Sequence, residues 1–204
     1  MTIDELLNRG PVIPVLTFEA PNEAIRVCTA LVEGGLGVFE VTLRTPTALE
    51  CLRAVAGLPG AIVGAGTVLN AAQVEACVAA GARFLVSPGL TKSLGHAARA
   101  SGLAVLPGVA TATDIMRALD QGFSRFKFFP ATAAGGLPAL KALSAPFPMA
   151  RFCPTGGINS ATAPEWLACR TVACVGGSWL YAGEGDPTEA IVARARAAAA
   201  LRPA

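Results

Sequence analysis

A single-domain (β/α)8 barrel with a short N-terminal helix is the fold that this sequence predicts, on three observations. Short apolar runs rich in Val, Ile and Phe recur eight times, starting near Val12, Val38, Ile62, Arg83, Leu103, Arg125, Arg151 and Val172, so that starts lie 20 to 26 residues apart. Runs of that kind suit strands covered on both faces, as in parallel sheets. Each run is followed by a longer stretch of helical period, which makes eight strand–helix units. The 204 residues then form one domain, 1–204, near the lower size limit of a barrel, with no linker and no second domain. A doubly wound open sheet is the alternative. Eight regular units, and no G-x-G-x-x-G after the first strand, count against it.

Met1 to Leu7 reads as a short acidic amphipathic helix and lacks the basic-then-apolar pattern of a signal peptide. Pro21 opens a helix that runs to Gly34 and Gly35, and Asn70 caps one that stops near Gly81. Lys92 follows Thr91 at a helix start, and Thr113 and Asp114 begin a helix ending at Gly122. Lys141 falls within a helix, and Ser160 caps another with Pro164 in its first turns. The last helix follows Asp186 and Pro187 and runs through an Ala/Arg segment to the end.

Composition excludes whole classes of function. With 53% hydrophobic residues the chain is not disordered. A net charge of +2, from 16 basic and 14 acidic groups, gives no field for gripping nucleic acid. Gly, Pro or charge interrupts every apolar run before the ~20 residues that a membrane span needs. Only 15% of residues are charged, against about 25% in an ordinary domain, which points to surface covered by further copies of the chain. The six cysteines, Cys28, Cys51, Cys77, Cys153, Cys169 and Cys174, form no C-x-x-C pair and sit in apolar stretches. They read as small hydrophobes, free thiols in a reducing cytoplasm.

A barrel places its chemistry at the C-terminal ends of the strands. Of three lysines, Lys92 and Lys141 can reach solvent, whereas Lys127 lies within the strand segment Arg125 to Pro130. A lysine there loses water, which disfavours the ammonium, and a neutral amine can attack a ketone to form a Schiff base. A snorkelling or acid-paired structural lysine is the competing reading. Glu40 likewise interrupts an apolar strand, and period-two geometry puts Glu40, Thr42 and Arg44 on one face. If that face is the barrel interior, Glu40 lies deep, suited to acid/base work, and Arg44 lies near the mouth. A structural ion pair filling the barrel is the alternative.

Gly64 to Thr67 ends the third strand and by itself reads as a turn that could offer a hydroxyl and bare amides. Pro154 to Asn159 and Gly176 to Trp179 end strands seven and eight, where barrels often bind phosphate. His96 is the one histidine, and with no local acid cluster it cannot build a zinc site. No metal is therefore expected. Any electrophile must come from imine chemistry, for which Lys127 is the lysine in place.

Six segments carry a family resemblance: Glu40 to Thr45 (EVTLRT), Gly64 to Asn70 (GAGTVLN), Ser87 to Leu90 (SPGL), Phe126 to Ala131 (FKFFPA), Arg151 to Ile158 (RFCPTGGI) and Gly176 to Leu180 (GGSWL). In this order, over about Pro11 to Leu180, the chain resembles the 2-dehydro-3-deoxy-6-phosphogluconate (KDPG) aldolase / 4-hydroxy-2-oxoglutarate (KHG) aldolase family. These are bacterial class I aldolases, and the first activity belongs to the Entner–Doudoroff pathway. The resemblance implies Lys127 as Schiff-base lysine and Glu40 as general acid/base. It implies Arg44, Thr67 and Pro88 around the pyruvate carboxylate, and Phe129 and Thr155 as sugar-side walls. Gly156, Gly157, Gly177 and Ser178 would hold the phosphate. It further implies a cytoplasmic homotrimer without cofactor, acting on a 2-keto-3-deoxy sugar acid phosphate. Rival readings are the galactonate epimer or unphosphorylated 4-hydroxy-2-oxoglutarate as substrate, a sugar-phosphate isomerase or synthase working without an imine, and a non-catalytic phosphosugar-binding barrel.

Overall fold

A computed structural model describes residues 1–201. The strands are β1 (Val12–Leu16), β2 (Val38–Thr42), β3 (Ile62–Gly66), β4 (Phe84–Val86), β5 (Ala104–Leu106), β6 (Gly108–Val109), β7 (Arg125–Phe128), β8 (Arg151–Pro154) and β9 (Val175–Gly177). The helices are α1 (Ile3–Leu7), α2 (Pro21–Glu33), α3 (Ala48–Val55), α4 (Ala71–Ala79), α5 (Lys92–Ala100), α6 (Ala112–Asp120), α7 (Gly136–Ser144), α8 (Ala163–Leu167) and α9 (Thr188–Ala199). Parallel pairing runs β5-β4-β3-β2-β1-β9 in one arc and β6-β7-β8 in the other.

Two junctions close these arcs into the expected (β/α)8 barrel. β5 and β6 are one barrel strand interrupted at Pro107, which has no N–H to give to a ladder. Bridges Phe152–Val172 and Thr155–Gly176 join β8 to β9. The eighth strand's regular ladder, β9, starts at Val175, three residues after its apolar run begins at Val172, which makes only an isolated bridge.

Strand parity sorts the core into two clusters. One face of the strands, with Val12, Leu16, Phe39, Val41, Val63, Phe126, Phe128 and Phe152, packs with the helices. The opposite parity, with Ile13, Val38, Phe84, Val86, Leu106 and Cys153, fills the lower barrel. Leu6 and Leu7 of α1 join this inner cluster. α1 thus plugs the N-terminal end, held by a reciprocal Thr2–Glu5 cap and by the Asp4 carboxylate, which accepts two bonds from Arg125.

Two helix starts differ from the sequence reading. α6 begins at Ala112, one residue before Thr113, because Thr111 and Asp114 satisfy each other's backbone N–H groups in a capping box. Ser160 does not cap α8. The cap position is Thr162, and the Asn159 side chain accepts from the N–H groups of Ala161 and Thr162. α9 starts at Thr188, directly after Pro187, and the last residues of the expected C-terminal helix lie outside the described residues. No disulfide joins the cysteines, and burial pushes the Cys77 thiol up to about 11, in keeping with its use as a small hydrophobe. Among the described residues, no helix is long and apolar enough to cross a membrane.

Candidate active site

Above the aliphatic plug the inward-facing positions turn polar. Glu40, Thr42, Lys127 and Thr155 are all buried and lie on β2, on β7 and at the end of β8. Register fixes their heights: Glu40 pairs with Val15 and Gly64, while Lys127 pairs with Gly108 and Cys153. The result is an ion pair across the barrel, with Lys127 Nζ donating to Glu40 Oε1 at 2.8 Å and side-chain exposures of 5% and 3%. Lys127 Nζ also lies 5.6 Å from the Phe129 ring centre, a cation–π distance.

The glutamate occupies its place because residue 66 has no side chain. A β-carbon on Gly66 would lie 2.8 Å from Glu40 Oε1, closer than packing allows. The segment Gly64 to Thr67 is therefore more than a turn: one of its glycines makes room for the carboxylate. No composition or period announces this; the signal is the register of β3 against β2.

At the strand ends the polar groups are open to solvent. Arg44 lies beyond β2, exposed, with its Nε donating to Thr67 Oγ1 at 3.2 Å. Among the described residues, no hydrogen bond occupies its two terminal nitrogens, which leaves a two-pronged donor for an anion. Thr67 is the one non-glycine described residue with a positive φ, 59°. A β-branched residue adopts that conformation only at a cost of roughly 1–3 kcal/mol, and such strain concentrates at functional sites. Pro88, half-buried in the β4–α5 loop, packs its carbonyl so closely on Gly108 that a side chain there would collide.

The opposite side of the mouth holds the glycine loops. Phe129 is half-buried and joined to Pro130 by a cis peptide bond. Thr155 is buried and bridges to Gly176. Gly156 and Gly157 take φ values of 106° and 77°, a left-handed turn that side chains resist. Gly177 is buried and Ser178 exposed at the end of β9. No long helix starts at either loop: α8 has five residues, and α9 begins ten positions after Ser178. An anion here would meet backbone N–H groups and a hydroxyl, without a helix terminus behind them.

The KDPG and KHG aldolase model matches residues 3–191. The chain belongs to the KDPG and KHG aldolase family. It is 51% identical over 201 residues to 2-dehydro-3-deoxy-phosphogluconate aldolase of Zymomonas mobilis, covering 98% of this chain and 96% of that relative. It is 48% identical over 178 residues to the KHG/KDPG aldolase of Escherichia coli K12, covering 87% and 84%. The KDPG aldolase of Legionella pneumophila, solved with pyruvate captured as a covalent carbinolamine intermediate, superposes with a TM-score of 0.95 at 43% identity, covering 98% and 99%.

Within this aldolase-family barrel all eleven residues singled out from the sequence lie on the inner wall or at the C-terminal strand ends. The carboxylate-side candidates Arg44, Thr67 and Pro88 follow β2, β3 and β4. The anion-loop candidates Gly156, Gly157, Gly177 and Ser178 follow or end β8 and β9. Sequence reasoning missed Thr17, one residue beyond β1, whose hydroxyl lies 2.8 Å from that of buried Thr42. The period-two rule applied to β1 puts Thr17 on the same face as Ile13 and is the signal that finds it.

Proposed function

We propose that the chain is a metal-independent class I aldolase, a lyase that cleaves 2-dehydro-3-deoxy-6-phosphogluconate to pyruvate and D-glyceraldehyde 3-phosphate. The same site would cleave 4-hydroxy-2-oxoglutarate to pyruvate and glyoxylate, as the double name of the Escherichia coli relative suggests. The observation that carries this reading is the buried Lys127–Glu40 pair, bonded at 2.8 Å beneath an open mouth. A silent binding barrel has no use for such a pair, and the carbinolamine of the Legionella relative is the chemistry it suits.

In the proposed sequence Lys127 yields a proton to Glu40 and its free amine attacks C2 of the keto acid. As the C–N bond forms and the C=O π bond breaks, a proton passes from the new ammonium nitrogen to the former carbonyl oxygen, giving a carbinolamine. Glu40 returns its proton to that oxygen, water leaves, and a protonated imine remains. Glu40 then accepts the C4 hydroxyl proton as the C3–C4 bond breaks. The bond's electrons move into the imine to form an enamine, and the aldehyde departs. Protonation at C3 and attack by water release pyruvate and regenerate the amine.

Other residues position the chain. Arg44 supplies a fork for the carboxylate beside Thr67 and Pro88. Phe129 and Thr155 form the walls, and Gly156, Gly157, Gly177 and Ser178 cradle the phosphate. We take residues 1–204 as one domain and the working form as a cytoplasmic homotrimer. The low charged fraction and the exposed Met116 and Val78 support subunit contact. Borohydride reduction with pyruvate, followed by intact mass and peptide mapping, tests the chemistry. The expected result is one adduct on Lys127, lost together with turnover in Lys127→Ala. An unmodified wild-type protein that still cleaves the sugar acid would overturn it.

A further inference from the structure

The strand order assigns a place to each part of an extended ligand. The carboxylate-side residues end β2 and β3, and the phosphate loops end β8 and β9. The order β3-β2-β1-β9, closed by the β9–β8 bridges, puts β1 between them. β7, with Lys127 and Phe129, forms the facing wall, separated from β9 by β8 on that side. A chain stretched from carboxylate to phosphate and bonded to Lys127 at C2 therefore presents its middle carbons to the end of β1.

The residue at that end is Thr17, exposed at the mouth. Its hydroxyl lies 2.8 Å from that of Thr42, which is wholly buried two residues above Glu40 on the same face. Among the described residues, Thr17 is the only side-chain partner of the Thr42 hydroxyl. When Thr42 donates to Thr17, the Thr17 proton and one lone pair remain free for a ligand oxygen. The position is also rigid. Phe18 is buried, and the carbonyls of Phe18 and Glu19 accept hydrogen bonds from the hydroxyls of Thr45 at 2.7 Å and Thr47 at 2.9 Å. These bonds tie the β1–α2 loop to the β2–α3 loop, so a hydroxyl held by Thr17 has little freedom to shift.

We propose that Thr17, oriented by Thr42, is a specificity-determining residue that hydrogen-bonds the C4 hydroxyl of the sugar acid as Glu40 takes its proton. This rests on the aldolase reading above. C4 is the carbon whose configuration separates the gluconate acid from its galactonate epimer, so Thr17 discriminates between them. A site built to bond one hydroxyl loses selectivity when the bond is removed.

The test compares Thr17→Val and Thr17→Ser with wild type on both phosphorylated epimers and on pyruvate alone. In Thr17→Val, kcat/KM for the preferred epimer falls roughly tenfold and for the other much less, so their ratio narrows by about that factor. Thr17→Ser keeps the hydroxyl and stays within about twofold of the wild-type ratio. Borohydride trapping of pyruvate on Lys127 is unchanged in both variants, because pyruvate has no C4. An unaltered epimer ratio in Thr17→Val, or an equal change in Thr17→Ser, overturns the inference while leaving the aldolase reading intact. Loss of pyruvate trapping in Thr17→Val overturns it as a merely structural effect. Absence of any adduct in wild type removes the aldolase reading, and this inference with it.

Discussion

Two groups of charges in this molecule are built on opposite rules. Inside the barrel, Lys127 and Glu40 share one hydrogen bond, and each keeps unused capacity: the ammonium has three donors and the carboxylate four lone-pair sites. Outside, a network ties α2 to α9 and the loop before it with almost nothing left over. Arg26 donates to both Glu23 oxygens, to the Asp186 carbonyl and to Thr188 Oγ1. Tyr181 donates to Glu23, and Asp186 Oδ2 accepts from the Ala182 N–H and from Arg194. Saturated charges hold helices in place. The undersaturated pair, shielded from water, is free to bond a substrate and pass a proton, so substitutions in the two regions should separate rate from stability.

The sharpest separation is expected from Glu40→Gln. The amide oxygen can still accept the Lys127 bond, so the folded protein keeps its melting temperature within a few degrees. Proton transfer is lost, and turnover falls roughly 10²–10⁴-fold. Steady-state cleavage beside a thermal melt checks both halves. A variant that melts far below wild type, or that keeps its rate, would place this pair with the structural charges.

Gly66→Ala probes how finely the interior pair is placed. Its new methyl group would sit 2.8 Å from Glu40 Oε1, and a displacement of about 1 Å at a reacting group costs roughly 10²-fold. The expected outcome is a loss of that order in kcat, with pyruvate trapping on Lys127 retained at a slower rate. A fully active Gly66→Ala would mean that Glu40 works from another position.

Gly66 also marks where sequence reading stops. The eight strands, their parallel order and the placing of Lys127 and Glu40 were legible, because apolar runs without alternation and charges inside them are local signals. An ion pair was among the readings of both residues, but nothing local made each the other's partner, since Glu40 and Lys127 are 87 residues apart and meet only through barrel closure. The same holds for Thr17 and Thr42, and for the outer network, where Arg26 finds Asp186 160 residues away. The misplaced Ser160 cap has a different cause. Several Ser, Thr and Asn residues in a row all favour a helix start, and Asn159 took the backbone bonds that composition allots equally to Ser160.

The smallest effect on rate, and the largest on acid stability, is expected at Asp186. The Arg194 guanidinium holds its carboxyl below the ordinary range, and the Ala182 N–H adds to this against burial; Arg26 does the same for Glu23. Carboxyls with lowered folded-state values bind more protons when unfolded than when folded. Their stabilisation is therefore complete above the unfolded value of about 4 and is lost as pH falls through the lower folded values. Asp186→Asn at neutral pH costs about 2 kcal/mol, or roughly 4–8 °C in melting temperature, with kcat near wild type. Melts taken from pH 7 down to pH 3 should show the wild-type protein losing its advantage over Asp186→Asn only below about pH 4. A gap that stayed constant over that range would mean that Asp186 supports α9 by shape and not by charge. A neutral-pH loss of activity matching the loss at Glu40 would erase the division between the two regions.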